Sequence, residues 1–261
     1  MEILFFVISL CATTIGAISG IGGGVIIKPV LDATNTMSAS SVSFLSGCTV
    51  LSMSVVSLWN SRKGEVRVDK RRSTYLALGS ALGGFLGKKM VDVVKLLFEK
   101  EDRLGLIQAI VLLVITVGVY IYIKKQEQIK PHEVNNPFVC TVIGIILGLL
   151  SSFLGIGGGP MNIAVLYYFF SMDSKTAAKN SIYIILFSQI TSLASTIASC
   201  SVPKFNQLLL VLMIIGGILG GILGSSISKK ISGKTVEHIL VIVLFIIIGV
   251  NVFNIVSFLW L

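Results

Sequence analysis

Apolar runs of 18 or more residues recur along the whole chain, and each is long enough to cross the hydrocarbon core of a bilayer as a helix. Hydrophobic residues make up 54% of the 261 residues and charged residues only 13%. That charged share is about half of the ~25% found in soluble domains. The polar stretches between the runs are short, so no separate soluble domain is expected. The sequence therefore predicts an all-α polytopic membrane protein.

Two of the apolar runs are interrupted by the same glycine pattern. Gly20-Ile21-Gly22-Gly23-Gly24 returns 135 residues later as Gly155-Ile156-Gly157-Gly158-Gly159. Each glycine lowers helix stability by roughly 1 kcal/mol, so a triplet should break a helix. Broken backbone is tolerated in a bilayer only where protein or a water-filled cavity satisfies it. A break at matching positions of two halves points to the binding site of a transporter, although glycines that only let helices approach closely are the alternative.

The segments that follow each break also match in order and character. A serine-rich span, a glycine-striped span and a last apolar span follow in both halves, and four glycines of the striped spans match at an offset of 137. Such agreement indicates an internal duplication. We expect an N-terminal repeat at 1–123, a cytoplasmic linker at 124–137 and a C-terminal repeat at 138–261. The predicted spans are 38–59, 74–98 and 104–123, then 174–198, 205–227 and 236–260, after the broken segments 3–31 and 138–170. The glycine stripes are interpreted as faces against which other helices lie.

The distribution of basic residues predicts how the two halves are oriented. If each broken segment crosses the membrane once, the halves are parallel and the Lys and Arg residues divide 10 to 11 between the two sides. If each enters and returns on one side, the halves are antiparallel and the division is 14 inside to 7 outside. Positive charge favours the cytoplasmic side. The sequence thus predicts two inverted-topology repeats, each a glycine-broken re-entrant hairpin plus three transmembrane helices, with both termini outside.

Each break is also predicted to begin a short helix. Pro160 follows the second triplet directly, and proline suits the first position of a helix. A helix start presents free N–H groups and about half a positive charge, so two starts brought together near the membrane middle would form an anion site. Polar side chains nearby extend that site. The candidate substrate-binding residues are Gly22, Gly23, Gly24, Lys28, Ser46, Gly157, Gly158, Gly159, Asn162, Asn180 and Gln189.

Several other function classes are disfavoured. The net charge of +9 lies in short loops between spans, where it sets orientation and does not indicate nucleic acid. Cys11, Cys48, Cys140 and Cys200 have no paired spacing and are interpreted as buried free thiols, and no metal or cofactor is expected. An intramembrane protease would need a Ser–His pair or two acids inside the bilayer, so an enzyme is not expected. No acid lies mid-span, which favours an anionic substrate, and a negative cell interior favours its export.

The doubled Gly-x-Gly-Gly-Gly, the polar turn and serine-rich span after it, and the length near 260 resemble the sulfite exporter TauE/SafE family. The resemblance covers the whole chain and implies an inner-membrane permease for sulfite, sulfonates and related small anions. An anion channel, a permease for another small anion such as a carboxylate, and a structural membrane subunit remain alternatives. The expected partners are the lipid bilayer and the anion; assembly as a homo-oligomer is left open.

Overall fold

The computed structural model describes residues 2–34, 36–62, 64, 66, 68–97 and 101–260. Over these ranges the chain is helical, without strands, and forms ten α-helices. Lys63, Arg67 and Lys100, which contribute to the charge count, lie outside the described residues. The helices are α1 (Glu2–Ser19), α2 (Gly24–Asp32), α3 (Ala39–Ser61), α4 (Lys70–Leu97), α5 (Glu101–Lys125), α6 (Pro137–Leu154), α7 (Pro160–Phe170), α8 (Ser174–Ala198), α9 (Gln207–Lys230) and α10 (Gly233–Trp260).

Seven of the described helices are long and apolar enough to cross a membrane, which supports a multi-pass membrane protein. They include α1 and α6, the first limbs of the two broken segments. Helix α4, predicted as a span at 74–98, is the exception to the expected pattern, because it does not reach the same hydropathy. Lys88, Lys89 and four glycines lower its mean hydropathy, although its 28 residues are ample to cross the ~30 Å core.

The glycine stripes of α4 and α9 lie against other helices, as the sequence predicted. A Cβ at Gly79 or Gly83 would collide with the backbone of α6 at Thr141 or Ile145. On α9, a Cβ at Gly220 would likewise collide with Thr13 of α1. Glycine is needed at these positions because two helix backbones approach within the space that a methyl group would fill.

The two halves of the chain are intertwined. Helix α4 packs along α6 and α8 of the second half, and α9 packs along α1 and α3 of the first. Helix α5 packs against α10, and α3 crosses α8 in the antiparallel sense. At one end of that crossing Lys179 reaches the Ser61 carbonyl, and at the other a Cβ at Gly47 would lie 3.4 Å from Leu193. The core is therefore shared between the halves: its largest cluster lies among α5, α6, α7 and α10, and a small cluster with Val50, Met53 and Ile185 lies where α3 and α8 cross.

The four cysteines are free, as the sequence predicted, but the expectation that all are buried is wrong. Cys140 is buried and Cys48 is half-buried, whereas Cys11 and Cys200 are exposed. Cys11 lies on the outer face of α1, and Cys200 lies in the turn after α8. Apolar sequence context alone does not separate a core position from one on the outer face of a membrane helix.

Candidate functional site

Both glycine patterns break the helix at the predicted place. Helix α1 ends at Ser19 and α2 begins at Gly24, and α6 ends at Leu154 before α7 begins at Pro160. In each break the first and third residues of the pattern have positive φ, a conformation that favours glycine. These are Gly20 (76°) and Gly22 (80°) in the first break, and Gly155 (65°) and Gly157 (71°) in the second.

The first break packs closely against the helix that precedes it. A Cβ at Gly23 would lie only 2.9 Å from the Cα atom of Thr13, ten residues earlier in α1. A straight helix would separate two such residues by about 15 Å. Gly16 lies equally close to the backbone of Gly22. The glycines of this break therefore lie against the last turns of α1.

The two breaks meet in the buried centre of the protein. A Cβ at Gly24 would collide with the Ile156 carbonyl, and one at Gly158 would lie 3.4 Å from the Ile21 carbonyl oxygen. Two fully buried side chains, Val50 of α3 and Ile185 of α8, flank this contact. Each lies near the middle of its helix, so the meeting point is close to the middle of the bundle.

The short helices begin there without side-chain caps. The N-cap residues Gly23 and Gly159 carry no side chain that could accept from the first amides. The amides of Ile26 and Ile27 already bond the Gly23 carbonyl. The first N–H groups of a helix have no partner inside the helix and carry the positive end of its dipole. The break thus presents positive backbone groups in a buried place.

A serine from each serine-rich helix lies at the first break, and the two differ in their bonding. Ser181 Oγ donates a hydrogen bond to the Gly20 carbonyl oxygen over 2.6 Å. Ser46, the equivalent residue of α3, is fully buried, and its Oγ has no partner within the described part of the chain. A Cβ at Gly24 would lie 2.9 Å from that Oγ. Buried hydroxyls are normally paired, so Ser46 is a polar group available to a ligand at the start of α2.

Lys28 has a partner inside its own helix. Its Nζ lies 2.6 Å from Asp32 Oδ2, and the two side chains are only 3% and 6% exposed. Asp32 lies one turn after Lys28, at the end of α2 that is further from the break. The ammonium is thereby bound within α2, and the positive charge at the break itself comes from the backbone.

The remaining polar candidates separate into two groups. Gln189 lies at the breaks, because a Cβ at Gly157 would be 3.1 Å from its Cδ, and Asn162 is buried in the first turn of α7. Asn180 instead anchors the start of α4: its Oδ1 accepts from Ser73 Oγ and, over 3.0 Å, from the Asp69 amide. Gln189 and Asn162 therefore extend the site around the breaks, whereas Asn180 is engaged in holding α4.

Sequence reasoning missed three residues around the breaks. Val50 and Ile185 occupy equivalent positions, 135 residues apart, and the repeat offset was the signal that could have paired them. Gln108 of α5 donates from Nε2 to the Phe153 carbonyl over 2.6 Å at the end of α6. Its Oε1 is buried with no partner among the described residues. A single amide in an apolar span gives no signal of which helix end it meets.

Comparison with known proteins gives the family. The model of the family described as "Sulfite exporter TauE/SafE" matches residues 5–252. The chain is also 25% identical over 231 residues to a protein of Bacillus subtilis (strain 168) named "Probable membrane transporter protein YunE", covering 80% of this chain and 83% of that protein. No solved structure matches. Because the family model spans nearly the whole chain, this protein belongs to the sulfite exporter TauE/SafE family of membrane transporters.

Proposed function

We propose that this protein exports small sulfur-containing anions such as sulfite or sulfonates, bound between the starts of α2 and α7. The observation that carries the proposal is the contact of the two breaks, each of which leads into an uncapped helix start, with the unpartnered Ser46 hydroxyl beside the start of α2. Backbone N–H groups at a helix start bind anions without a basic side chain. The sulfur-containing class comes from the family.

The direction of the helices supports two inverted repeats. Helices α3 and α8 are equivalent in sequence, and they cross in the antiparallel sense. Helices α4 and α9 are also equivalent, and each packs mainly against helices of the other half, as a twofold relation between the halves requires. The close packing of Gly23 on α1 supports a re-entrant hairpin, as does the length of α2, which has only nine residues and spans about 14 Å. Inverted repeats with broken helices at the midplane are a common transporter design.

Contacts between basic segments support the proposed orientation. Lys179 donates to the Ser61 carbonyl, and Lys229 to the Asn60 carbonyl over 2.7 Å, so loops from both halves share one face. The linker lies on this face too, because Arg72 Nε donates to Asn135 Oδ1 over 2.9 Å. The antiparallel count assigns all these segments to the inside. We therefore assign this face to the cytoplasm and both termini to the outside.

Sulfite flux in proteoliposomes tests the function. Purified protein is reconstituted, the vesicles are loaded with sulfite, and a potassium gradient with valinomycin sets the membrane potential. A monoanion leaving a negative interior gains about 2.3 kcal/mol per 100 mV. We expect sulfite efflux that saturates with sulfite concentration and accelerates with interior-negative potential. It should exceed the efflux from sulfite-loaded vesicles that contain no protein.

Two matched variants separate transport from mere assembly. Gly24→Ala places a methyl group against the Ile156 carbonyl, whereas Gly249→Ala on α10 meets nothing within 4 Å. We expect the first to abolish sulfite efflux and the second to keep it. Efflux that ignores the potential, or that persists unchanged in Gly24→Ala, would contradict the proposal. Non-saturating efflux would favour an anion channel over a transporter.

A further inference from the structure

A polar cavity opens on the face that carries the basic loops. Its volume is about 310 Å³, and it lies between the C-terminal end of α3, the N-terminal end of α8 and the C-terminal end of α9. Three lysines line it, together with serines of α3 and α9. Its lining includes Ala17, Lys175, Ala178, Lys179, Ser228 and Lys229.

Two of the three cavity lysines bond to neutral oxygens. Lys179 Nζ donates to the carbonyls of Ser61 and Val66, over 2.6 Å each, and Lys229 Nζ donates to the Asn60 carbonyl. No acidic residue is among the described residues that line the cavity. Glu65 lies outside the described residues. Carbonyl oxygens do not neutralise an ammonium charge, so the described lining of the cavity carries an excess of positive charge, which attracts small anions.

The inner wall of this cavity is the first break. Ala178 lines the cavity, and a Cβ at Gly20 would collide with its backbone. Three residues further along α8, Ser181 donates to the Gly20 carbonyl. Ala17, also in the wall, lies three residues before Gly20 in α1. An anion in the cavity is therefore one layer of residues away from Gly20, the first residue of the first break.

A second cavity occupies the equivalent place on the opposite face. The repeat offset of 135 relates Lys175 to Ser40 and Lys179 to Phe44, and both of these line the second cavity. Its volume is about 50 Å³. It also contains Lys95 and Lys88, and Asp92 neutralises Lys88 at 3.1 Å, so one lysine of this cavity keeps its charge against three in the larger cavity. The two cavities thus differ in size and in uncompensated charge, although the repeat makes them counterparts.

We propose that the larger cavity is the loading site, in which Lys175, Lys179 and Lys229 collect the anion from the basic face before it reaches the breaks. This rests on the proposed function. The smaller cavity, with Ser40 and Phe44 in place of two lysines, is then the release side. A strong anion site on one face and a weak one on the other favours movement from the basic face outward.

Charged thiol reagents test the loading site without measuring transport. Ser228→Cys is introduced on a background in which the four native cysteines are replaced by serine. Its modification rates by a sulfonate-bearing and a trimethylammonium-bearing methanethiosulfonate are compared in detergent. Ser201→Cys provides the same measurement in the smaller cavity. We expect the ratio of anionic to cationic rate to be about tenfold higher at Ser228→Cys than at Ser201→Cys.

Removing the lysines should remove that preference. Lys175→Gln leaves the carbonyl bonds of Lys179 and Lys229 in place and should lower the ratio several-fold, and adding Lys179→Gln should lower it about tenfold. Lys230→Gln with Lys234→Gln removes two charges from the same face that do not line the cavity. If this control lowers the ratio as much as the cavity variants, the cavity has no special role and the proposal is wrong. An equal ratio at the two cysteine positions would also overturn it.

Sidedness provides the second readout. The reagents do not cross membranes, so Ser228→Cys should react in inside-out vesicles and be protected in intact cells. Reaction from outside intact cells would overturn the assignment of the loading side. An anionic preference at Ser228→Cys without any sulfite efflux would leave the basic cavity standing and reject the proposed substrate, so the two proposals fail separately.

Discussion

The two breaks share their glycine pattern but differ in how much room surrounds it. At the first break, a Cβ at Gly24 would collide with the Ile156 carbonyl of the second. At the equivalent Gly159, a Cβ would approach only the end of the Ile156 side chain, at 3.2 Å. Gly158 is instead required by its conformation, with φ of 145°, whereas the equivalent Gly23 has an ordinary helical φ of −66°. The last two glycines of the pattern therefore allow close backbone contact in the first break, whereas in the second Gly158 allows an unusual backbone conformation.

The helices that follow the breaks differ as well. Lys28 and Asp32 form a buried ion pair in α2, and the equivalent positions in α7 hold Ile163 and Tyr167, both buried. A buried charge is stable only when paired, and an apolar pair of similar volume fills the same space without that requirement. The first repeat thus contains a charge pair at positions where the second has two neutral side chains.

Substituting the equivalent glycines Gly24 and Gly159 should give the largest difference, measured as sulfite flux. Gly24→Ala should lower sulfite flux by about 100-fold, because shifting a preorganised site by ~1 Å has effects of that size. Gly159→Ala should keep flux within a few-fold, since the Ile156 side chain can move aside. Flux in proteoliposomes with equal amounts of folded protein measures both. Equal losses in the two variants would contradict the difference in packing between the breaks.

Breaking the ion pair of Lys28 and Asp32 should have the next largest effect, on the stability of the protein. Lys28→Met leaves Asp32 buried without its partner and should destabilise the protein by about 3–5 kcal/mol. The double variant Lys28→Met/Asp32→Leu imitates the uncharged second repeat and should recover most of that stability. Thermal unfolding in detergent is the measurement. A double variant as unstable as the single one would show that the pair has a role beyond mutual compensation.

The two serines test where the ligand binds. Ser181→Ala removes a bond to the Gly20 carbonyl and should lower stability by about 1 kcal/mol. Ser46→Ala removes a hydroxyl that has no partner among the described residues, so stability should be unchanged. Sulfite affinity should fall at least ~10-fold in Ser46→Ala, because bonds to charged ligands contribute about 1.5–3 kcal/mol. Unchanged sulfite affinity in Ser46→Ala would remove this residue from the site.

The helix caps give the smallest effect. Burial raises the pKa of Asp173, but hydrogen bonds from the Thr176 hydroxyl and from the amides of Thr176 and Lys175 outweigh it and lower the pKa overall. Asp173→Ala should therefore cost about 1 kcal/mol at neutral pH. The equivalent Ser38 accepts one weaker bond, at 3.3 Å from the Ser41 amide, and Ser38→Ala should cost less.

The sign of the pH dependence follows from the lowered pKa. A carboxyl group with a depressed folded-state pKa contributes stability above its unfolded pKa and loses it as pH falls through the folded value. The difference in melting temperature between the wild type and Asp173→Ala should accordingly shrink in acid, while that of Ser38→Ala stays constant. If the melting-temperature differences of the two variants depended on pH in the same way, the lowered pKa of Asp173 would be contradicted.

The sequence was sufficient for the helices and the breaks, because apolar length and glycine triplets are local signals. It also gave the helix-packing faces of α4 and α9, since the glycine spacing repeats along one side of a helix. The ion pair of Lys28 with Asp32 was missed, although a spacing of four residues is a local signal for a pair on one face of a helix. Nor did the sequence give the role of Asn180, whose bonds reach Ser73 and Asp69 more than 100 residues away. Contacts between distant segments depend on how the halves interlock, which no local pattern encodes.

In the proposed mechanism, backbone amides at the starts of α2 and α7 bind the anion. Selective ¹⁵N labelling of the 26 glycines and NMR titration with sulfite in detergent observe those amides directly. We predict saturable shifts at Gly24 and its neighbours in the breaks, with Ser46→Ala weakening the apparent affinity and glycines of α10 unaffected. Saturable shifts confined to glycines outside 20–24 and 155–159, or no shifts at concentrations that support efflux, would contradict the account.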